Sequence, residues 1–130
     1  MTAASENSQN NVSIRTDLCP GDIGQIMSMH GRLYFKEYGY SQPFEYYVAL
    51  SLAEFAQLYS PERNRIWVCE YDQGMVGSLA LMDRGDAAQL RYFLFEPEYR
   101  GLGLGTQLMD SFIEFMRERA YKSSYLWTTE

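Results

Sequence analysis

The stretch LFEPEYRGLGLGTQLMDSFIEF, residues 94–115, runs from the end of an apolar segment through three alternate glycines into a helical repeat. Leu104, Leu108, Phe112, Phe115 and Met116 recur at three- and four-residue spacing, which predicts an amphipathic helix reaching about Tyr121. The first turn of such a helix leaves its backbone N–H groups unpaired, and the aligned peptide dipoles put partial positive charge there. An anion fits that place. Side chains on the preceding turn would hold a phosphate away, so Gly101, Gly103 and Gly105 let the backbone wrap closely, and Arg100 adds a cation beside it. The order G-x-G-x-G is neither the G-x-G-x-x-G of a dinucleotide fold nor a Walker A loop, which would need Lys-Ser or Lys-Thr after the last glycine.

Upstream, the period is two. RIWVCEY (65–71), the turn DQG, MVGSLALM (75–82), the turn RGD and AAQLRYFLF (87–95) predict three strands in an antiparallel meander. Before them, two helices are expected. The first begins near Asp22, its predicted cap, carries Ile23, Ile26, Met27, His30, Leu33 and Tyr34, and ends at Gly39. The second starts at Ser41-Gln42-Pro43 and carries Phe44, Tyr47, Val48, Leu52, Phe55 and Tyr59, with Pro61 beyond. Val12 and Ile14 suggest an opening strand, SYLWTT (124–129) a closing one, and residues 1–11 read as a polar tail. The expected fold class is α/β with a mixed sheet in the order β-α-α-β-β-β-α-β, one domain over residues 12–130.

A net charge of −6 over 130 residues disfavours phosphate-backbone binding, so nucleic acid is not an expected partner and an amine-bearing substrate is compatible. No apolar run approaches the ~20 residues that span a bilayer, and no signal peptide is visible, which predicts a cytoplasmic protein without membrane contact. Cys19 and Cys69 lie far apart and His30 is the single histidine, so neither a disulfide framework nor a metal site is suggested; two buried thiols and a satisfied core or boundary histidine are the expectation.

Arg100, Gly103 and Gly105 resemble the Q/R-x-x-G-x-G/A signature of the GCN5-related N-acetyltransferases (GNAT), and the element order is similar to that family's over residues 12 to 130. The phrases PGDIGQIMSMHGRLYFKEYG, RIWVCE, GLGLGTQLM and LWT look most like the acetyltransferase halves of bacterial fusions to MarR-type regulators. The resemblance implies acetyl-CoA as co-substrate. Its pyrophosphate would lie on the amides of Gly101, Leu102, Gly103, Leu104, Gly105 and Thr106, beside Arg100, and its pantetheine arm along Phe93, Leu94 and Phe95. That strand would part from SYLWTT at a bulge.

The reaction implied is direct attack of a primary amine, on a small molecule or peptide, at the thioester carbon. It needs proton removal and a fixed donor for the developing oxyanion, here the backbone N–H of Phe95 or Leu94. Many relatives carry a glutamate on the strand before the glycine loop, where this sequence has Gln89, Arg91 and Tyr92. Tyr92 and Glu70 are the candidate proton-handling groups, with Tyr34, Glu37, Tyr38, Tyr40 and Tyr46 as further groove candidates. Relatives also continue into another helix and a β-hairpin, the helix commonly bearing the general acid. The expectation is a C-terminally shortened domain that associates as a homodimer or larger through an exposed sheet edge near Tyr125, Leu126 and Trp127. An acyl-CoA-binding sensor without turnover is the alternative.

Overall fold

The computed structural model describes residues 11–126, so most of the expected tail and Trp127 lie outside the described residues. The elements are β1 (Ser13–Arg15), α1 (Asp22–Tyr38), α2 (Gln42–Leu58), β2 (Arg65–Tyr71), β3 (Gly74–Arg84), β4 (Ala87–Phe95), a 3-10 turn (Pro97–Tyr99), α3 (Leu104–Glu118) and β5 (Ser123–Leu126). The predicted order and mixed sheet are observed. The five strands lie in the order β1-β2-β3-β4-β5, antiparallel through β4 and parallel between β4 and β5.

The meander follows from its turns. Asp72 and Gln73 both have positive φ, 53° and 66°, between the paired residues Tyr71 and Gly74. That is the two-residue connection whose twist matches a right-handed hairpin. Gly85 supplies the positive φ of the next turn, between Arg84 and Ala87. The parallel return to β5 then requires a crossover, which α3 provides.

Alternation along β2 and β3 sends side chains to two separate cores. Trp67, Cys69, Leu79 and Leu81 meet Leu104, Leu108, Phe112 and Phe115 of α3. Ile66, Val68, Ala80 and Met82 meet Ile26 of α1 and Val48, Leu52 and Phe55 of α2. Both faces of these strands are covered, which explains their nearly continuous apolar sequences. Each fully buried Val, Leu, Ile, Phe or Met among them contributes roughly 1.5–3 kcal/mol.

Three expectations shift. Asp22 does not cap α1, whose N-cap is Gly21. Its buried carboxylate accepts the Cys19 N–H at 2.7 Å and a bidentate pair from Arg15 at 2.9 and 2.6 Å, tying β1 to the helix start. The last helix stops at Glu118, and Ala120 at φ 61° turns the chain. Tyr121 therefore leaves the helix, and its hydroxyl lies 2.8 Å from Asp83 Oδ1 and 2.6 Å from the Arg63 carbonyl. Cys69 is buried as expected, but Cys19 is only half-buried.

Candidate active site

The site begins at an irregularity in β4. Ser78 pairs with Leu94 and Ala80 with Arg91, so Leu79 alone faces both Tyr92 and Phe93. This is a β-bulge, and it holds Tyr92 at φ 57°, a left-handed conformation uncommon for a residue with a bulky side chain. Its neighbours fix it there. Ser78 Oγ donates to the Tyr92 carbonyl at 2.7 Å, the phenol lies 2.8 Å from Ser51 Oγ, and the ring sits edge-on to His30 and Phe55.

The bulge separates two parts of the strand. Before it, β4 pairs with β5 from Ala87↔Ser123 to Leu90↔Leu126, the last pairing among the described residues. After it, the Glu96 N–H donates to the Val76 carbonyl at 2.9 Å, so Gly77 and Phe95 form a non-hydrogen-bonded pair. The N–H and C=O of Phe95 consequently point away from β3, toward the β5 side. Phe95's ring lies across Gly77, where no side chain intervenes.

Beyond β4, the Tyr99 and Arg100 amides bond back to Glu96 and Pro97, closing the 3-10 turn. Gly101 (φ 77°) and Gly103 (φ 88°) then take left-handed conformations that other residues adopt at a cost. Gly103 is the N-cap of α3, its carbonyl accepting the Gln107 N–H at 3.1 Å. No side chain caps this helix, and no acidic residue stands in its first turn. A Cβ at Gly101 would project into open space, and one at Gly105 would come within 3.5–3.9 Å of the Phe93 and Phe95 rings.

These elements enclose a pocket of about 260 Å³ lined by Phe93, Leu94, Phe95, Tyr99, Arg100, Gly101 and Gly105. Arg100 is anchored at two points: Nε donates to the Phe95 carbonyl at 3.0 Å, and Nη1 lies 3.0 Å from Glu37 Oε2 on the last turn of α1. The guanidinium stays partly exposed beside the glycines.

The structure thus brings together Phe93, Leu94, Phe95, Arg100, Gly101 and Gly105, while Gly103 and Leu104 open α3 behind them. Leu104 buries its side chain in the core, Thr106 is exposed in the first turn and Leu102 is half-buried. Tyr92 and Glu70 do not join this pocket. The Tyr92 side chain is 2% exposed within the core under α1 and α2, and burial raises its phenol above the ordinary range. Glu70 lies on β2, two strands away, 3.2 Å from Arg15 Nη2 in a separate hollow. Glu37, a groove candidate in the sequence, enters through its pair with Arg100, while Tyr99, Gly77 and Ser78 are additions that sequence reasoning did not single out for the site. Only Gly77, a glycine inside a strand pattern, carried a local signal.

The description "Acetyltransferase (GNAT) family" belongs to a family model that matches residues 27–130. Among curated proteins, the uncharacterized N-acetyltransferase YjgM of Escherichia coli K12 is 35% identical over 98 residues, covering 72% of this chain and 59% of that protein. An uncharacterized N-acetyltransferase of Methanocaldococcus jannaschii is 28% identical over 104 residues, covering 73% of this chain and 46% of its own. The chain therefore spans about half the length of these relatives. Among solved structures, an acetyltransferase from Streptococcus agalactiae superposes with a TM-score of 0.75 at 22% identity, over 89% of this chain and 72% of that one. An acetyltransferase from Clostridium acetobutylicum, crystallised with acetyl-CoA, gives 0.69 at 16% identity, over 90% and 80%. At these identities the likeness is one of fold.

Proposed function

The chain belongs to the GNAT family of acetyltransferases, and on that premise we propose that it transfers the acetyl group of acetyl-CoA to a primary amine. The observation that carries this reading is the conjunction at the end of β4. A strand whose backbone turns outward after a bulge is followed, six residues beyond Phe95, by the left-handed glycine pair that opens α3.

The residues present fit a diphosphate-bearing thioester. The uncapped first turn of α3 offers backbone donors and the positive end of the helix dipole, Gly101 and Gly103 keep side chains out of the cradle, and Arg100 stands beside it. The outward edge of Phe93-Leu94-Phe95 suits an extended arm hydrogen-bonding as an added strand.

Acetyl-CoA supplies an acyl carbon activated by its thioester. The amine nitrogen bonds to that carbon as the C–S bond breaks, the sulfur leaves with the electron pair, and the surplus proton passes to solvent. We assign the Phe95 N–H the role of oxyanion donor, supported by its direction away from β3. Tyr92 is a positioning residue: its backbone forms the bulge and its phenol is engaged by Ser51. Glu70, held by Arg15, takes no part.

The test is release of free thiol from acetyl-CoA across a panel of primary amines and peptides. Acetylated amine appearing in step with thiol supports transfer. Tight coenzyme A binding without turnover on any amine would instead make the chain an acyl-CoA-binding sensor.

We also propose that two copies associate along β5, an edge strand among the described residues, where Tyr125 and Leu126 are 48% and 63% exposed. Light scattering showing only monomer at micromolar concentration would contradict this. Among the described residues no helix is long and apolar enough to cross a membrane. We propose a cytoplasmic location, a reading supported by the two free cysteines.

A further inference from the structure

A groove of about 510 Å³ runs between α3 and the paired strands β1 and β2, on the face of the sheet opposite α1 and α2. It shares no lining residue with the pocket at Gly105, and its size lies in the range that encloses small organic molecules.

Its floor holds a polar group that the fold leaves unused. Trp67 is 3% exposed, its ring edge-on to Phe115 and tilted against Phe112, yet its indole N–H meets no acceptor among the described residues. A tryptophan this deeply buried ordinarily has its N–H bonded. Every enclosed side-chain nitrogen and oxygen among the described residues does have a partner. The Trp67 N–H therefore opens on the groove that the residue lines. Indole donates and cannot accept, so whatever completes it brings an oxygen lone pair.

Two kinds of charge border that floor. Arg65, two residues back along β2 and so on the same face, has its guanidinium 4.6 Å from the Phe115 ring centroid and enters no ion pair among the described residues. Asp110, on the α3 wall, enters none either. Glu114, one turn further on, meets Arg117 at 3.2 Å, with side chains so exposed, at 60% and 71%, that the pair is weak. The cation of the sheet and the carboxylates of the helix share one groove without meeting each other. A ligand that spans them engages both.

We propose that this groove is a second ligand site, for a small zwitterion. Its carboxylate is held by the Trp67 N–H and Arg65, a short apolar linker crosses Phe115, and a guanidinium at the far end is held by Asp110 and Glu114. A planar guanidinium, with donors in a fixed fork, can meet two carboxylates that stand one helical turn apart. The site goes beyond the acetyl-transfer reading and stands without it, because the ligand carries no primary amine and its binding is read in the absence of acetyl-CoA.

The experiment is calorimetric titration of the full chain at neutral pH with 4-guanidinobutyrate, and with butylguanidine and butyrate, which lack its carboxylate and its cation. Saturable binding of 4-guanidinobutyrate is expected, at least tenfold tighter than either. Arg65→Gln, Asp110→Asn and Trp67→Phe, which keeps a ring but loses the N–H, should each weaken it about tenfold, the loss of one charge-assisted contact. Asp86→Asn, at the β3–β4 turn, should leave it unchanged. Circular dichroism establishes that each variant is folded; Arg65 and Asp110, at the groove's rim, are replaceable without opening the core. In isotopically labelled protein the Trp67 indole N–H signal, told apart from that of Trp127 by Trp127→Phe, should shift on saturation. No saturable binding, equal binding of the three compounds, unchanged affinity in folded Arg65→Gln or Asp110→Asn, or a Trp67 indole signal that stays in place would overturn the proposal.

Discussion

The ring of Phe95 occupies the place that a side chain at Gly77 would need, its Cδ2 and Cε2 colliding with any Cβ built there. The two residues face each other as a β3–β4 pair, and the same ring borders the pocket at Gly105. Gly77→Ala must therefore push the Phe95 ring into the pocket or separate the strands. Overpacking of this kind costs about 1–3 kcal/mol. Urea denaturation should show that loss, and coenzyme A affinity should fall with it; a variant of unchanged stability and affinity would refute the contact.

Ser78 and Tyr92 separate positioning from chemistry. Ser78→Ala removes a buried hydrogen bond to the Tyr92 carbonyl, at a cost of about 0.5–1.5 kcal/mol. It should lower kcat by disturbing the bulge. Tyr92→Phe keeps the ring and loses the phenol's bonds to Ser51 and Arg91, so kcat should stay within about threefold while stability drops by roughly 1–3 kcal/mol. A hundredfold loss of kcat in Tyr92→Phe would return the phenol to the chemistry.

His30 links stability to acid. Burial holds its imidazole below the ordinary value of 6.5, while Nδ1 bonds the Ile26 carbonyl at 2.9 Å. Below pH 6.5 the unfolded chain binds a proton that the folded chain resists. The stability this residue contributes is present above pH 6.5 and is lost as pH falls through the folded value. Urea midpoints at pH 7.5 and 5.5 should differ more for the original chain than for His30→Phe; equal differences would show that His30 is not the titrating group.

Cys69 gives the opposite limb. Burial pushes its thiol from 9.0 up to about 12, so its contribution is full below pH 9 and is lost as pH rises toward 12. Iodoacetamide at pH 8 should modify the half-buried Cys19 and spare Cys69 until the protein is unfolded. Mass spectrometry of tryptic peptides reads both sites, and rapid native labelling at Cys69 would contradict its placement.

The parts legible in the sequence are those written in local chemistry. Glycines at 39 and 103 stop and start helices through positive φ, and period-two runs separated by short turns specify the meander. The glycine loop was readable for the same reason. What was not readable depends on partners distant in sequence. Asp22 looks like a cap until Arg15 and the Cys19 amide claim its carboxylate. Tyr121 continues a helical spacing, yet Asp83 and Arg63 draw it out of the helix. No residue pattern announces that Tyr92 adopts φ 57°, because Ser78 and Ser51, on two other elements, hold it there. Glu37 reaches Arg100 across 63 residues of chain for the same reason.

Coenzyme A titration by calorimetry, on the original chain, Gly103→Val and Arg100→Gln, tests the account most directly. Gly103 at φ 88° cannot become valine without strain in the N-cap of α3, so binding should be lost. Arg100→Gln keeps the loop backbone and should weaken binding about tenfold, the loss of one charge-assisted contact. If the original chain takes up no coenzyme A, or if both folded variants bind it as tightly as the original, the glycine loop is not the cofactor site.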